Sequence, residues 1–160
     1  MAFVCYQLLV TAYYFQYVEG MDPCPLCIFQ RIGVLFVAIW FLLRGLHNPL
    51  AGSRWRPTYA ILGLVSALLG GIVSGRHVYL QNLPEGEVPA CGPALDYLME
   101  MLPVSEVIGA VLAGDGECAK VSWDLLGISM PGWVLLFFIG VAGLMILSLY
   151  RHFRPSRNLF

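Results

Sequence analysis

Four runs of apolar residues, each long enough to cross a lipid bilayer, constrain this chain more than any other feature. A transmembrane helix needs about 20 mostly apolar residues, within a range of about 17–25. The runs are "AFVCYQLLVTAYYFQYV" at 2–18, "CIFQRIGVLFVAIWFLL" at 27–43, "TYAILGLVSALLGGIVSG" at 58–75 and "GWVLLFFIGVAGLMILSLY" at 132–150. With 59% hydrophobic and only 12% charged residues, the chain is too apolar for an ordinary soluble domain. The expected fold is an all-α membrane protein, a four-transmembrane-helix bundle forming a single membrane domain over 1–160. Its connections fall at about 19–26, 44–57 and 76–131, with a tail at 151–160.

Charge gives the orientation. Arg44, Arg54 and Arg56 lie between the second and third runs, and Arg151, Arg154 and Arg157 follow the fourth. Basic residues in short loops mark the cytoplasmic side. All ten acidic residues fall on the other side, Glu19 and Asp22 in the first connection and eight within 76–131. Both termini are therefore expected in the cytoplasm. The first run has no charged flank and no small-residue cleavage site, so it reads as a helix short on its cytoplasmic side rather than as a signal peptide.

Four of the five cysteines, Cys24, Cys27, Cys91 and Cys118, lie on the outer side; Cys5 sits among apolar neighbours and reads as a small buried hydrophobe. An oxidising compartment permits disulfides there. Four cysteines allow three pairings, and proximity favours Cys24 with Cys27, leaving Cys91 for Cys118. A zinc site built from all four thiolates is disfavoured, because structural sites prefer two close pairs and the second pair is split by a long segment. No metal is expected. A static disulfide framework accounts for Cys91–Cys118, but a bridge across two residues constrains the unfolded chain little, so "CPLC" reads as redox-active.

Local chemistry supports that reading. Pro23 and Pro25 fix the approach to the second helix, and proline is at ease in a first helical turn. The unpaired N–H groups of the helix start stabilise a thiolate there. Arg31 lies four residues beyond Cys27 and seven beyond Cys24, which puts all three on one helix face. A cation in the apolar zone is functional by default. Thiols at membrane depth need a lipid-soluble oxidant, and a quinone meets that need; haem would require axial ligands. His77, at the outer end of the third helix, is placed to hydrogen-bond a quinone carbonyl. Small residues recurring every four positions on the third helix, Gly63, Ala67, Gly71 and Gly75 beside Ser66, Gly70 and Ser74, allow close helix approach. The long connection carries apolar spacing in "LDYLMEMLPVSEVIGAVL", read as short amphipathic helices broken near Pro103, whose apolar faces rest on the bilayer surface or on the bundle. An ion transporter is disfavoured, since the runs hold no carboxylate.

Taken together, "CPLCIFQR", "RHVYLQ", "ACGP" and "GECAKVSWDLLGISMPGW" resemble the DsbB family of bacterial inner-membrane proteins, over nearly the whole chain. The resemblance implies two redox pairs, Cys24–Cys27 and Cys91–Cys118, with quinone contacts at Arg31, His77 and Cys27. It implies reoxidation of a periplasmic DsbA-like, thioredoxin-fold oxidase, with electrons passing to ubiquinone or menaquinone. The implied partners are that oxidase, the quinone pool and the bilayer, and no nucleic acid. The alternatives are a vitamin K epoxide reductase-like thiol oxidoreductase and a structural membrane protein with static disulfides.

Overall fold

The computed structural model describes residues 1–21, 23–50, 53–84, 95–114, 116–119 and 123–154. In chain order these form α1 (Ala2–Tyr17), α2 (Pro25–His47), α3 (Trp55–Gln81), α4 (Leu95–Met101), α5 (Val104–Ala113), α6 (Gly116–Ala119), strands β1 (Asp124–Leu125) and β2 (Ile128–Ser129), and α7 (Met130–Phe153). The protein is a helical membrane protein. Among the described residues three helices, α2, α3 and α7, are long and apolar enough to span a bilayer.

The first expected span differs. α1 has 16 residues, about 24 Å at 1.5 Å per residue, against a hydrocarbon core of about 30 Å. Hydropathy extends the run through Val18, but the helix closes at Tyr17 and the chain turns through Gly20 at φ +67°. The other three helices outrun their apolar segments. Hydropathy marks where a helix is greasy, whereas backbone hydrogen bonding continues until a cap or breaker intervenes. Thus α3 runs through Arg76 and His77 to Gln81, with Asn82 as its C-cap, so both side chains project from a regular helix rather than from a loop. α2 begins with Cys24 as N-cap and Pro25 in its first turn, and ends where Asn48 adopts the left-handed conformation at φ 38°.

Helix α3 packs between α2 and α7. Its buried face comprises Ala60, Gly63, Ala67, Gly70, Ser74, His77 and Leu80. Those positions are spaced by three or four, which takes members from both of the small-residue series in the sequence and keeps them on one stripe. At the centre of the stripe a Cβ on Gly70 would lie 2.3 Å from Cζ of Phe138, a ring that is itself fully buried. Gly33 on α2 is also tightly placed, its Cβ position 3.1 Å from the same Cζ and 3.3 Å from the Gly70 Cα. Small residues here let three backbones converge on one ring. Gly70→Ala is expected to cost about 1–3 kcal/mol through overpacking, read as a lowered unfolding midpoint in detergent. Adding Phe138→Leu should return part of the loss; an unchanged midpoint in the single variant would remove Gly70 from this role.

A second core lies at the thiol end. Leu26, Leu80, Val107, Val111 and Cys118 are buried together, with Phe29 and Leu102 packed against them. Helix α5 turns Val107 and Val111 inward and leaves Val104 exposed. Its C-terminus is gripped by Arg76, whose Nε donates to the Leu112 carbonyl and whose Nη2 donates to the Ala113 carbonyl, both at 3.0 Å. The last carbonyls of a helix lack intrahelical partners, and a cation there also complements the helix dipole. Gly114 follows at φ +80°, where a Cβ would meet Leu80 Cδ1 at 2.2 Å. Glycine is thus required on both conformational and steric grounds. The chain then enters α6, which carries Cys118.

A small antiparallel hairpin precedes α7, pairing Asp124 with Ser129 and Leu125 with Ile128, so the fold is not purely helical. Its two turn residues, Leu126 and Gly127, both have positive φ, 57° and 77°, as a tight hairpin twisted with its strands requires. Leucine is uncommon in that conformation, which explains why the stretch carries no turn signal before the Gly. The Ser129 hydroxyl donates to Gln81 Oε1 at 2.6 Å and ties the hairpin to the end of α3.

Candidate functional site

The two thiols of "CPLC" sit at the start of α2 because proline terminates the extended segment and opens the helix there. Cys24 Sγ lies 3.2 Å from Cys27 Sγ. His77, one turn before the end of α3, points at both: Nε2 is 3.8 Å from Cys24 Sγ and Nδ1 is 4.0 Å from Cys27 Sγ. The imidazole is 2% exposed. Its Nδ1 is held at 3.1 Å by the side-chain amide of Gln30, which is also buried. Fixing one ring nitrogen leaves the other facing Cys24, so the orientation of the ring is set by Gln30.

Cys118 completes the group. Its Sγ, Cys24 Sγ and a ring nitrogen of His77 all lie within 4.8 Å of one another. Residues 94 positions apart in sequence are thereby brought to one point, by the packing of α5 and α6 against the start of α2 and the end of α3. Cys91 lies outside the described residues. Cys5 is fully buried in the other core, beside Val34 and Phe138, as a small apolar side chain would be.

On the opposite side of the thiols is a cavity of ≈ 260 Å³. Cys27, Gln30, Arg31 and Val34 of α2 form one wall, with Leu8, Ala12 and Phe15 of α1, Trp123 before the hairpin, and Pro131 and Val134 of α7 around it. The lining is apolar apart from a few polar groups, the usual character of a small-molecule site. Arg31 is anchored on α1: its guanidinium donates to the Gln16 side-chain oxygen and, at 3.1 Å, to the Ala12 carbonyl. It also stands 5.3 Å from the Tyr13 ring centroid, within cation–π range. The guanidinium is partly buried and its hydrogen-bond partners are neutral, so none of them offsets its charge toward the cavity.

The sequence reading gathers the thiols, Arg31 and His77 around a single pocket. The structure divides them. Cys27 and Arg31, four apart on α2, share the cavity; His77 does not line it and packs against the thiols from α3. Cys27 alone of the pair belongs to both surroundings. Gln30 escapes the sequence reading, although a lone amide inside an apolar run, three residues after Cys27, is itself a signal.

Comparison with known proteins bears on the identity of this arrangement. A family profile described as "Disulfide bond formation protein DsbB" matches residues 1–148. A protein of Methylococcus capsulatus named "Disulfide bond formation protein B" is 49% identical over 145 residues, covering 90% of this chain and 87% of that protein. The protein of the same name in Nitrosococcus oceani is 46% identical, over 89% of this chain and 84% of the relative. A third, in Marinobacter nauticus, is 43% identical over 95% of this chain and 89% of the relative. The match spans both cavity walls and every cysteine, and on it the chain belongs to the DsbB family of disulfide bond formation proteins.

Proposed function

We propose that the protein is a dithiol:quinone oxidoreductase of the bacterial inner membrane. In this reading α1 is a fourth, short span, both termini are cytoplasmic, and the thiols face the periplasm. The protein reoxidises a soluble DsbA-like oxidase there and thereby sustains disulfide formation in exported proteins. The observation that carries this reading is the double placement of Cys27, which touches Cys24 on one side and lines an apolar cavity beside Arg31 on the other. Electrons arriving as thiols on one face have a route to the other.

The relay consists of thiol–disulfide exchanges. A thiolate of the reduced partner attacks Cys91 in a Cys91–Cys118 bridge, forming a mixed disulfide and releasing Cys118 as a thiolate. The partner's second thiol resolves that mixed disulfide and leaves oxidised. Cys118 attacks Cys24 of the Cys24–Cys27 bridge, and its closeness to Cys24 supports this choice of sulfur. Cys27 is left as a thiolate at the cavity. Cys91 then attacks Cys118 in the Cys24–Cys118 bridge, restoring Cys91–Cys118 and freeing the Cys24 thiol. One S–S bond breaks and one forms at each exchange, and Cys24 and Cys27 together hold the two electrons they give up on re-forming their own bridge. His77 faces Cys24 and orients the exchange; the sequence assignment of His77 to a quinone carbonyl would need the ring to reach past the thiols.

The cavity suits a quinone head group, with apolar walls for the ring, and Cys27, Gln30 and Arg31 as its polar contacts. When bound, the quinone accepts two electrons and two protons and departs as quinol. Arg31 supplies a fixed positive charge that favours the developing negative charge over the neutral ring.

The test is quinone reduction by purified protein supplied with a reduced thioredoxin-fold dithiol. Quinol formed in proportion to donor oxidised supports the reading; no quinol with either ubiquinone or menaquinone sinks it. In the same assay Arg31→Lys is expected to weaken quinone use roughly tenfold, about the worth of one charge-assisted hydrogen bond. A lysine cannot hold Gln16 and Ala12 with two prongs as arginine does. The loss should appear in KM or kcat for quinone while donor capture is unaltered.

A further inference from the structure

We infer that the fully reduced protein carries a soft-metal site, a Cys24–His77–Cys118 triad that takes Zn²⁺ or a similar thiophilic divalent cation. The ligands are the relay's own thiols, so the proposal rests on that reading for its inhibitory consequence alone. On sequence spacing, zinc bound by all four outer cysteines is disfavoured. The structure changes the donor set, with a histidine from α3 joining one cysteine from each sulfur pair.

The geometry is close to what zinc demands. With Zn–S near 2.3 Å and Zn–N near 2.0–2.1 Å, tetrahedral ligand atoms stand about 3.5–3.8 Å apart. Cys24 Sγ and His77 Nε2 are 3.8 Å apart, and the set with Cys118 Sγ closes within 4.8 Å. Rotamer adjustments of a few tenths of an ångström to an ångström bring all three onto one ion. Among the described residues Cys27 Sγ, 3.2 Å from Cys24, is a further donor close by. Metal-bound histidines almost always engage a partner through their other ring nitrogen. The Gln30 amide nitrogen already stands 3.1 Å from Nδ1; turning the amide over puts its oxygen there to accept the Nδ1 proton once Nε2 carries the metal. Both His77 and Cys118 are buried, which shields the ion from competing water.

Binding releases one proton from each coordinating thiol and moves no electrons. It also withdraws Cys24 and Cys118 from exchange, so a metal-loaded chain is stalled in its reduced state. Oxidation of the sulfurs removes the ligands. The site therefore exists only when the relay has lost its electron acceptor.

Co²⁺ is the probe, added to reduced, quinone-depleted protein under argon. One Co²⁺ per chain is expected, with thiolate charge-transfer bands and the visible spectrum of a tetrahedral site, displaced by Zn²⁺. The signal should vanish in oxidised protein and in Cys24→Ser and Cys118→Ser. It should persist in Cys5→Ser and Cys91→Ser. His77→Ala should bind far more weakly, and Gln30→Ala roughly tenfold to a hundredfold more weakly, the usual loss for a ligand's supporting group. No spectrum in reduced wild type overturns the proposal. So does binding that needs Cys91 and ignores His77, since that would be a four-cysteine site. Quinone reduction in chelator-treated buffer is read separately: activity without metal binding sinks the site and leaves the relay standing, whereas metal binding without quinone reduction does the reverse.

Discussion

Cys27→Ser brings quinone reduction down to the uncatalysed rate while leaving a single round of donor oxidation intact. The substitution is nearly isosteric, so the start of α2 and the cavity wall keep their shape. What is lost is the sulfur that, among the described residues, both contacts Cys24 and lines the cavity. A hydroxyl neither forms a disulfide nor delivers electrons. Starting from oxidised protein, the Cys91–Cys118 bridge of the proposed relay accepts electrons from one donor dithiol per chain and then stalls. Rapid mixing with reduced donor, followed by counting oxidised donor and quinol, checks both halves. Undiminished quinol production in this variant would dismiss Cys27 as the terminal thiol.

Cys91→Ser gives the second large effect, at the other end of the relay. A donor stripped of its resolving thiol should form a mixed disulfide with oxidised wild-type protein. The same donor activated as an aryl disulfide should be captured by the Cys91 thiol of Cys118→Ser, the aryl thiolate leaving, but not by Cys91→Ser. Steady quinone reduction driven by the protein donor should then fall to background. A small dithiol such as dithiothreitol should still drive quinone reduction in Cys91→Ser, because it reaches the Cys24–Cys27 pair directly. The asymmetry has a structural basis in Cys118, which is buried against Leu26 and Leu80 within reach of Cys24 and is badly exposed for an incoming protein. Mixed-disulfide yields that drop in Cys118→Ser and not in Cys91→Ser would reverse the assignment of entry and transfer sulfurs.

Much of the fold is legible in the sequence because lipid imposes a simple rule. Backbone groups away from water must bond within their own helix, so apolar runs of sufficient length declare α2, α3 and α7. The same rule says little about ends, and α3 therefore gains Arg76 and His77, which a hydropathy boundary assigns to a loop. It also overstates α1, whose apolar composition reaches further than its helix. The one-residue contacts that build the site are less legible. Cys27 and Arg31 share a wall because four residues on a helix return to the same face, a local rule readable by counting. His77 meets Gln30 across 47 positions, and Cys118 meets Cys24 across 94; only packing of separate helices fixes those encounters. Counting places His77 at the right height along the bundle without saying which side of the thiols it takes. The tight turn at Leu126 and Gly127 is hidden because leucine stands where Asn, Asp or Gly usually signals such a turn.

The grip of Arg76 on α5 falls on main-chain oxygens, those of Leu112 and Ala113, and carbonyls are the same whatever side chain a residue bears. Outward positions on α5, such as Val104 at 74% exposure, are consequently free to vary without displacing the sulfur that follows. Within the proposed relay, such an arrangement lets a lineage retailor the surface it shows to visiting proteins while its internal wiring stays in register, so substrate range and electrical continuity evolve as separable traits.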